Sequence, residues 1–475
     1  MSLRHLLVVL LFACAGLPVQ AGTVLRACRL PDFPQEVRCG QIERALDPAA
    51  PQGKKITVHY VVLPSQDKNK LSDAVFLLAG GPGQSAIALA ATAQALLGRL
   101  NQRRDLVFID QRGTGRSAPL NCPSSAGDAG LASLPQSLAQ ARSCLQQLQS
   151  LPYGDLRFFS TSIAVQDIEA VRLQLSYPRI NVLGISYGSR VGLEYQRQFP
   201  QALRRLVLDG VVAPSLGLPN QDAQVALDAV FADCAKQAAC GASYPDLPRR
   251  WKELLNSLPR PIRLTHPRLG TPLQLTMRRE ILLNLVQTSL YQAEQAAALP
   301  YLISAAWRGD FAPLITVSAA TNAATAGAIA DGMHFSVWCS EAYARPLAAP
   351  QDDFDANTRQ FYDQVCRDWP RANIPAGFFT LPAAASPVLL LSGGIDPVTP
   401  IRHGAAVSAA LGPLALHLTL EHAGHGMLAQ GCVRELVFHF IDAATAAAAL
   451  ELGTGCLRPI PRALAWQPLT PAGLP

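Results

Sequence analysis

Short apolar runs, each followed by glycine and polar residues, recur through the first half of the chain. Ala74–Leu78 leads into Gly80-Gly81-Pro82-Gly83, and Leu106–Ile109 leads into the polar loop 110–117. Similar runs lie at 181–183 and 206–208, and a helical pattern with a broad apolar face covers 161–175. Short apolar runs that end in turn residues and alternate with helices are typical of buried parallel strands. The pattern therefore predicts an α/β fold with a doubly wound, mostly parallel sheet.

The segment that precedes these strands has a different pattern. Residues 28–48 contain prolines and no clear periodicity, so we expect an irregular N-terminal arm. Residues 56–63 alternate between apolar and polar side chains, which is typical of an antiparallel edge strand.

Strand signals almost vanish between residues 214 and 385, where helical periodicity predominates. The expected helices there are 221–240, 245–258, 278–298 and Leu299–Trp307. Strand patterns resume at 388–391 and 414–420, and a final helix is expected at 433–450. These changes predict a signal segment at 1–21, a core at 22–213 and 386–475, and a helical cap inserted at 214–385.

The N-terminus has the pattern of a secretory signal. Arg4 precedes the apolar run 6–12, which is too short to span a bilayer, and small residues ending at Ala21 form a candidate cleavage site. The alternative is a lipid anchor at Cys14, although the residues before it form a poor lipobox. We expect a secreted or periplasmic protein, or on the alternative a lipid-anchored one, with no later transmembrane segment.

Cysteine usage supports an oxidising compartment. The chain has 11 cysteines, and removal of Cys14 with the signal leaves an even number. Ten cysteines allow on the order of a thousand pairings, so spacing alone does not determine connectivity. Proximity in the sequence suggests these pairs, with free buried thiols as the alternative: Cys28 with Cys39, Cys122 with Cys144, Cys234 with Cys240, Cys339 with Cys366, and Cys432 with Cys456.

Composition excludes several classes of protein. Hydrophobic residues make up 49% of the chain and charged residues 16%, which indicates an extensive core rather than disorder. The net charge of +6 is thinly spread, without a long basic run, so we expect no nucleic-acid partner. No cysteine or histidine cluster has zinc-ligand spacing, so we expect no metal.

One motif joins a predicted strand to a predicted helix. Gly184-Ile185-Ser186-Tyr187-Gly188 has the pattern G-x-S-x-G, in which only small residues fit two positions before and after the serine. Such a turn projects the serine hydroxyl at the carboxyl end of the sheet, above a helix N-terminus. Ser186 is the predicted nucleophile, and an ordinary turn serine is the alternative.

A serine nucleophile needs a base within hydrogen-bond reach and a group that orients the base. Asp396 follows one late strand and His425 follows the next, so the order along the chain is Ser, Asp, His, as in α/β-hydrolases. His422 is the alternative base, and Asp396 could instead cap the following helix. The glycines that flank His425 would let it reach into a cleft.

Backbone N–H groups are needed to stabilise a tetrahedral oxyanion. The residue after the nucleophile, Tyr187, is one predicted donor. The other should come from the loop after Ala74–Leu78, where Pro82 has no N–H; of its three glycines we choose Gly81. No G-K-[ST] follows these glycines, which excludes a P-loop. Asp110 and Arg112 are expected to form a structural ion pair nearby.

Together, these motifs resemble the secreted prolyl/tripeptidyl aminopeptidase family of α/β-hydrolase serine peptidases. Ala79–Gly83 is similar to its H-G-G-P-G block, with alanine in place of histidine, and 110–117 is similar to its D-x-R-G-x-G-x-S block. The nucleophile motif, the acid block 393–400 and Gly424-His425-Gly426 match as well. The cysteine-rich C-terminal region resembles that of tripeptidyl enzymes.

The resemblance implies a serine exopeptidase that needs no cofactor and acts on peptides with a free N-terminus. A carboxylate should then pair with the substrate ammonium, because an unpaired buried charge is costly. Glu341 is the predicted amine-binding residue, and a solvated surface glutamate is the alternative. The competing functions are a carboxylesterase or lipase with the same triad, and a non-catalytic binding protein, which would normally lack part of this machinery.

Overall fold

The computed structural model describes residues 25–31, 33–122, 130–219, 221–266, 270–325 and 329–467, with the side chains of 321–325 left aside. The predicted signal segment and Cys14 lie outside these ranges. The strands within them are β1 (Arg26–Cys28), β2 (Val37–Ala45), β3 (Lys55–Leu63), β4 (Ala74–Leu78), β5 (Leu106–Ile109), β6 (Ile180–Ile185), β7 (Leu203–Asp209), β8 (Arg260–Thr265), β9 (Pro272–Met277), β10 (Val388–Gly393) and β11 (Ala415–Leu420).

Helices separate most of these strands. The α-helices are α1 (Ala90–Asn101), α2 (Leu134–Gln149), α3 (Thr161–Gln174), α4 (Tyr187–Gln198), α5 (Ala223–Lys236), α6 (Ala238–Ser243), α7 (Leu247–Asn256), α8 (Arg279–Leu290), α9 (Ala293–Ala296), α10 (Leu299–Trp307), α11 (Ala312–Thr325), α12 (Asp331–Glu341), α13 (Asp353–Asp368), α14 (Ile401–Leu411), α15 (Val433–Asp442) and α16 (Ala446–Leu450). Within the described ranges, no helix is both long and apolar enough to cross a membrane.

One nine-stranded sheet organises the fold. Its strand order is β1-β2-β3-β5-β4-β6-β7-β10-β11. The six strands from β5 to β11 pair in parallel, whereas β1, β2 and β3 form an antiparallel edge beside β5. This confirms the predicted α/β class and the mostly parallel sheet. The carboxyl ends of the parallel strands meet at one edge, where ligand sites of such sheets lie.

Side chains on alternate positions of the central strands supply two separate cores. On β4, Val75 and Leu77 pack with α1 and α15 on one face of the sheet, whereas Phe76 and Leu78 pack with α3 and α4 on the other. Successive strand residues point to opposite faces, so a strand covered by helices on both sides must be apolar throughout. This explains why these strands read as uninterrupted apolar runs.

The N-terminal segment differs from the expectation. Residues 28–48 are not an irregular arm, because β2 pairs with β3 from Arg38↔Val62 to Ala45↔Lys55. Residues 56–63 are therefore not an edge strand, since β3 lies between β2 and β5. β2 lies close to the edge of the sheet, where a strand needs only part of one face buried. It therefore carries many polar residues. Its sequence thus lacks the apolar run that marks an inner strand.

The residues between β7 and β10 contain α5 to α13, and they also hold a feature that the sequence did not indicate. β8 and β9 form a separate two-stranded antiparallel sheet with six residue pairs. Most of these helices pack into an apolar cluster of their own.

The expected helix at 433–450 is two helices, since Thr445 starts α16 by accepting a hydrogen bond from the Ala448 N–H. The domain boundaries stay a prediction.

Five disulfides join nearby parts of the described chain. The pairs are those that proximity suggested: Cys28–Cys39, Cys122–Cys144, Cys234–Cys240, Cys339–Cys366 and Cys432–Cys456. Cys339 on α12 and Cys366 on α13 are both buried, with Cα atoms 4.9 Å apart. This bond ties together two helices that contact the site described below.

We predict that the Cys339–Cys366 disulfide stabilises the fold more than the Cys234–Cys240 disulfide. The two bonds close loops of 27 and 6 residues. Loop-closure entropy makes these worth about 3–4 and about 2 kcal/mol respectively. Both pairs are buried, so double Cys→Ala variants leave comparable cavities. Urea unfolding should show the larger loss for Cys339→Ala/Cys366→Ala; an equal or smaller loss would contradict the prediction.

Candidate active site

The turn between β6 and α4 carries Ser186. Its backbone has φ 54° and ψ −122°, in the region that non-glycine residues rarely adopt. The Ser186 N–H donates to the Asp209 carbonyl at the end of β7, over 2.8 Å. A strained residue that its neighbours hold in place is frequent at active sites. The turn presents the serine at the carboxyl edge of the sheet, as the motif predicts.

Close backbone contacts explain both motif glycines. A Cβ added to Gly188 would lie 2.1 Å from the Leu78 carbonyl oxygen on β4. One added to Gly184 would lie 2.2 Å from the Gly188 carbonyl oxygen. Backbone atoms cannot move aside as a flexible side chain can. The turn therefore requires glycine at both positions.

Asp396 and His425 form a hydrogen-bonded pair at the same edge. Asp396 Oδ2 lies 2.8 Å from His425 Nδ1. The other oxygen, Oδ1, accepts the N–H groups of Val398 and Thr399, each over 2.8 Å. The Thr399 hydroxyl donates to Oδ2 over 2.6 Å. The Asp396 side chain is fully buried, and these contacts fix the His425 tautomer with its proton on Nδ1.

The electrostatics of this pair follow from its contacts. Burial opposes the imidazolium, but the charge and hydrogen bond of Asp396 outweigh burial and raise the pKa of His425. Burial likewise opposes the carboxylate, yet His425 and Thr399 hold the pKa of Asp396 below its ordinary value. Asp396 therefore remains ionised while His425 gains and loses a proton. Such a pair can serve as a base and its orienting group.

Asp209 and Gly210 bring Ser186 and His425 together. The Asp209 backbone holds Ser186, and its carboxylate accepts the N–H groups of Met427 and Leu428 over 2.7 and 2.9 Å. A Cβ added to Gly210 would lie 3.2 Å from His425 Cε1. Gly210 thus lets the imidazole approach the turn that carries the serine. Neither Asp209 nor Gly210 was singled out from the sequence, where they mark only the end of an apolar run.

The competing histidine lies elsewhere. His422 Nδ1 is 3.7 Å from Asp233 on α5, whereas His425 faces Asp396. Tyr291 holds His425 from the other side: its carbonyl accepts the His425 N–H over 2.8 Å, and the two rings meet edge to face at 5.2 Å. The structure therefore brings His425, and not His422, to the acid.

The glycine loop after β4 borders the serine. A Cβ added to Gly80 would lie 3.1 Å from Ser186 Cβ, so a larger residue there would crowd the hydroxyl. Gly81 follows with φ 104°, a conformation that side chains disfavour. Tyr187 is the first residue of α4, so its N–H has no acceptor within the helix. These are the positions named as oxyanion donors, and that role stays a prediction.

Glu341 does not join this group. Its side chain is fully buried, Oε1 accepts the Thr161 N–H over 2.9 Å, and Oε2 pairs with Arg190 over 3.2 Å. Arg190 lies on α4 and also donates to the carbonyls of Ala213 and Leu216. Both oxygens of Glu341 thus already have partners among the described residues. The expected amine-binding role is corrected to a structural ion pair.

Asp110 and Arg112 do not pair with each other, contrary to the expectation. Arg112 forms a bidentate ion pair with Asp167 on α3, over 2.7 and 2.9 Å. Asp110 instead accepts the Ser85 hydroxyl over 2.6 Å and the Ile87 N–H over 3.2 Å. Both are structural, and Asp110 supports the residues that follow the glycine loop.

Two side chains near the glycine loop have no signal in the sequence. Asp331 and His334 lie on α12, whose N-terminal end contacts Gly83 and Gln84. No periodic pattern marked α12, and the partner segments lie far apart in the sequence. Within the described ranges, no three histidine, cysteine or acidic side chains converge as metal ligands would.

Comparisons with known proteins agree with this geometry. Residues 73–431 match the family described as alpha/beta hydrolase fold. Serine protease Hip1 of Mycobacterium tuberculosis (strain ATCC 25618 / H37Rv) is 30% identical over 260 residues, which are 50% of this chain and 49% of that protein. The chain thus spans about half the length of that relative.

Two further relatives align over longer stretches. Tripeptidyl aminopeptidase of Streptomyces coelicolor is 26% identical over 388 residues, 75% of this chain and 68% of that protein. Carboxylesterase B of Mycobacterium tuberculosis (strain CDC 1551 / Oshkosh) is 26% identical over 454 residues, 85% of this chain and 84% of that protein.

The match over 73–431 covers most of the sheet, the turn with Ser186, and both Asp396 and His425. It confirms the fold class and the assignment as a hydrolase. The protease and the aminopeptidase among the relatives confirm the resemblance that the motifs indicated. The chain therefore belongs to the α/β-hydrolase fold family.

Proposed function

We propose that this hydrolase is a serine exopeptidase that releases residues or short peptides from a free N-terminus. The observation that carries the proposal is the Asp396–His425 pair, held beside the strained turn of Ser186. The similarity to a tripeptidyl aminopeptidase supports the peptide substrate. In this proposal Ser186 is the nucleophile, His425 the base and Asp396 its orienting group.

The chemistry follows from these positions. Ser186 Oγ attacks the carbonyl carbon while His425 Nε2 takes the hydroxyl proton, and the oxyanion receives hydrogen bonds from the N–H groups of Gly81 and Tyr187. His425 then protonates the leaving amine as the C–N bond breaks. A water then gives a proton to His425 and attacks the acyl carbon. As the bond between that carbon and Ser186 Oγ breaks, His425 returns the proton to Oγ. Asp396 stabilises the imidazolium in both steps.

Asp331 is the carboxylate that we propose for the substrate ammonium, in place of Glu341. It is the first residue of α12, directly after Ala330, whose N–H donates to the Gly83 carbonyl over 2.9 Å. Its half-buried carboxylate has no hydrogen bond or ion pair with the described residues, and burial raises the pKa of Asp331. A bound ammonium would supply the missing partner.

A second observation supports this position for Asp331. Burial comes first among the causes that raise the pKa of Tyr362, followed by the nearby groups of Tyr291, Tyr343 and Asp331. Tyr291 is the residue whose ring packs on His425. Asp331 and Tyr291 are therefore both close enough to the Tyr362 hydroxyl to act on it.

We further propose that the protein works in an oxidising compartment, secreted or periplasmic. The five disulfides support this, because such bonds persist outside the reducing cytosol. A lipid anchor at Cys14 is the alternative, and both Cys14 and the predicted signal segment lie outside the described residues.

A carboxylesterase is the second candidate function. The similarity to a carboxylesterase extends over more of the chain than the similarity to the aminopeptidase. Ester and amide hydrolysis use the same triad, so the substrate decides between them. An unpaired carboxylate beside the site favours a cationic substrate group, which an ordinary acyl ester lacks.

We predict that Ser186→Ala lowers kcat by a factor on the order of 10⁶, because the nucleophile is removed. The measurement is hydrolysis of tripeptidyl anilides and of a short-chain ester, together with labelling by a fluorophosphonate. Ser150→Ala is the control, because Ser150 is exposed at the end of α2 and its hydroxyl donates to the Gln147 carbonyl. Labelling that persists in Ser186→Ala would contradict the assignment.

We predict that Asp331→Asn lowers kcat/KM by about 10- to 100-fold for peptides with a free N-terminus, which corresponds to one hydrogen-bonded charge pair. The same peptides with acetylated N-termini should be poor substrates of both enzymes and should show no further loss. Asp353→Asn makes the same change on the exposed start of α13 and serves as the control. Equal losses on free and acetylated peptides would rule out an amine-binding role.

We predict that kcat/KM rises with pH as His425 loses its proton, with a midpoint above the ordinary histidine pKa of 6.5. The carboxylate of Asp396 favours the protonated imidazole, so higher pH is needed to free the base. Asp396→Asn removes this effect and should move the midpoint lower while reducing kcat by about 10⁴-fold. The substrate should be an acetylated ester, because it has no amine whose own titration would add to the pH profile. A wild-type midpoint below 6.5 would contradict this view of the pair.

A further inference from the structure

We propose that His334 is a positioning residue for the glycine loop, residues 79–84, and that Tyr362 holds the His334 imidazole in the required tautomer. This inference rests on the proposed function, because the loop matters only if it supports an oxyanion. It concerns a histidine that is neither the base nor its competitor.

The contacts of His334 determine which ring nitrogen carries the proton. Nδ1 lies 3.2 Å from the Pro82 carbonyl oxygen, and Nε2 lies 2.6 Å from the Tyr362 hydroxyl. A carbonyl oxygen can only accept, so Nδ1 must be protonated and donate to it. Nε2 is then the acceptor, and the Tyr362 hydroxyl donates to it. A neutral imidazole satisfies both partners at once.

The surroundings keep this imidazole neutral. The rings of Phe335, Trp338 and Tyr362 lie 5.7, 6.4 and 6.2 Å from the His334 ring. Burial in this apolar shell lowers the pKa of His334 to about 4, despite the opposing bond to Pro82. At neutral pH the ring therefore keeps one donor and one acceptor, and each nitrogen has a defined partner.

The loop is held between the serine and α12. On one side, Gly80 approaches Ser186 so closely that a Cβ would lie 3.1 Å from the serine Cβ. On the other side, Gln84 forms an antiparallel bridge with Ile329, and a Cβ on Gly83 would lie 2.7 Å from the Ala330 carbonyl oxygen. Pro82, which accepts the hydrogen bond from His334, lies between Gly80 and Gly83 in the sequence. The segment from Ile329 to His334 therefore sets the path of the loop past the serine.

Within the described residues the loop has one backbone hydrogen bond of its own, from the Gln84 N–H to the Gly80 carbonyl over 3.3 Å. Its first residue, Ala79, is buried and has no polar side chain. His334 brings an imidazole to the loop from 252 residues further along the chain. A shift in Pro82 would pass directly to Gly81, the proposed oxyanion donor that precedes it.

α12 is rigid enough to act as a support. The Cys339–Cys366 disulfide joins it to α13, which carries Tyr362. The Trp369 indole N–H donates to the Ser336 hydroxyl over 3.1 Å and adds a second link. His334 and Tyr362 thus lie on two helices that are fixed to each other, as a preorganised support requires.

Three variants test the proposal. His334→Leu removes both polar contacts, His334→Asn keeps an N–H that can reach Pro82, and Tyr362→Phe removes only the hydroxyl. On tripeptidyl anilides we expect His334→Leu to lower kcat about 10- to 100-fold while KM changes less than about twofold, because less oxyanion stabilisation is lost than by deleting a donor outright. His334→Asn should recover most of kcat. Tyr362→Phe should lower kcat by about 2- to 10-fold, as expected for one hydrogen bond.

A transition-state analogue separates positioning from a merely structural role. Affinity for a peptidyl trifluoromethyl ketone, which forms a tetrahedral oxyanion on the serine, should fall in parallel with kcat across the variants. Affinity for the peptide product should stay unchanged. Unchanged kcat in folded His334→Leu, or an equal fall in His334→Asn, would overturn the proposal. Should the leucine variant fail to fold, unchanged kcat in Tyr362→Phe would overturn it instead.

Fluorophosphonate labelling distinguishes failure of this inference from failure of the proposed function. Wild-type protein that is not labelled at Ser186 would refute the serine mechanism itself. Full labelling of wild type and variants, together with equal kcat values, would leave that mechanism standing and refute the role of His334. Slower labelling of His334→Leu, restored in His334→Asn, is the expected result.

Discussion

The site depends on one close passage of backbone, where the start of α4 crosses the end of β4. A side chain at Gly188 would clash with the Leu78 carbonyl oxygen. This close contact fixes the position of α4, and of β6 before it, relative to β4. That passage forces the unusual conformation of Ser186 and brings the glycine loop against it. The Asp396–His425 pair then reaches the serine through Asp209 and Gly210, which hold the loops after β7 and β11 together. Small residues at the carboxyl ends of the strands are thus what allows several chain segments to converge.

α12 connects the same site to the residues between β7 and β10. Its C-terminal end places Glu341 on Arg190 of α4, and its N-terminal end contacts Gly83 and Pro82. A buried ion pair is weak evidence for net stability, yet removal of one partner leaves a costly unpaired charge. Glu341 therefore fixes the position of α12 more than it strengthens the fold. One helix contacts both the serine helix and the loop that carries the second proposed oxyanion donor.

Elements whose structure local patterns decide are predictable from the sequence. The inner strands were predictable because both of their faces are buried, and the turn at Ser186 was predictable because its glycines have no substitute. β2 is not predictable in this way, because a strand close to the sheet edge needs few apolar residues. Glu341 was misjudged because its partner Arg190 lies 151 residues away, and an isolated glutamate in a sequence says nothing about what it faces. Asp331 and His334 have no local signal at all, since their importance comes from a loop that lies near them only in space.

The support that α12 gives to the glycine loop bears on how this fold can vary. Where an inserted segment only covers a cleft, recombination or design could exchange it for another and alter substrate preference alone. Here the segment supplies Ile329, Ala330 and His334 as contacts to residues next to the serine. A hybrid with a foreign insertion would lose these contacts along with its old specificity. Sheet and insertion are therefore expected to be inherited together, and to diversify by paired substitutions on both sides of the α12 contact.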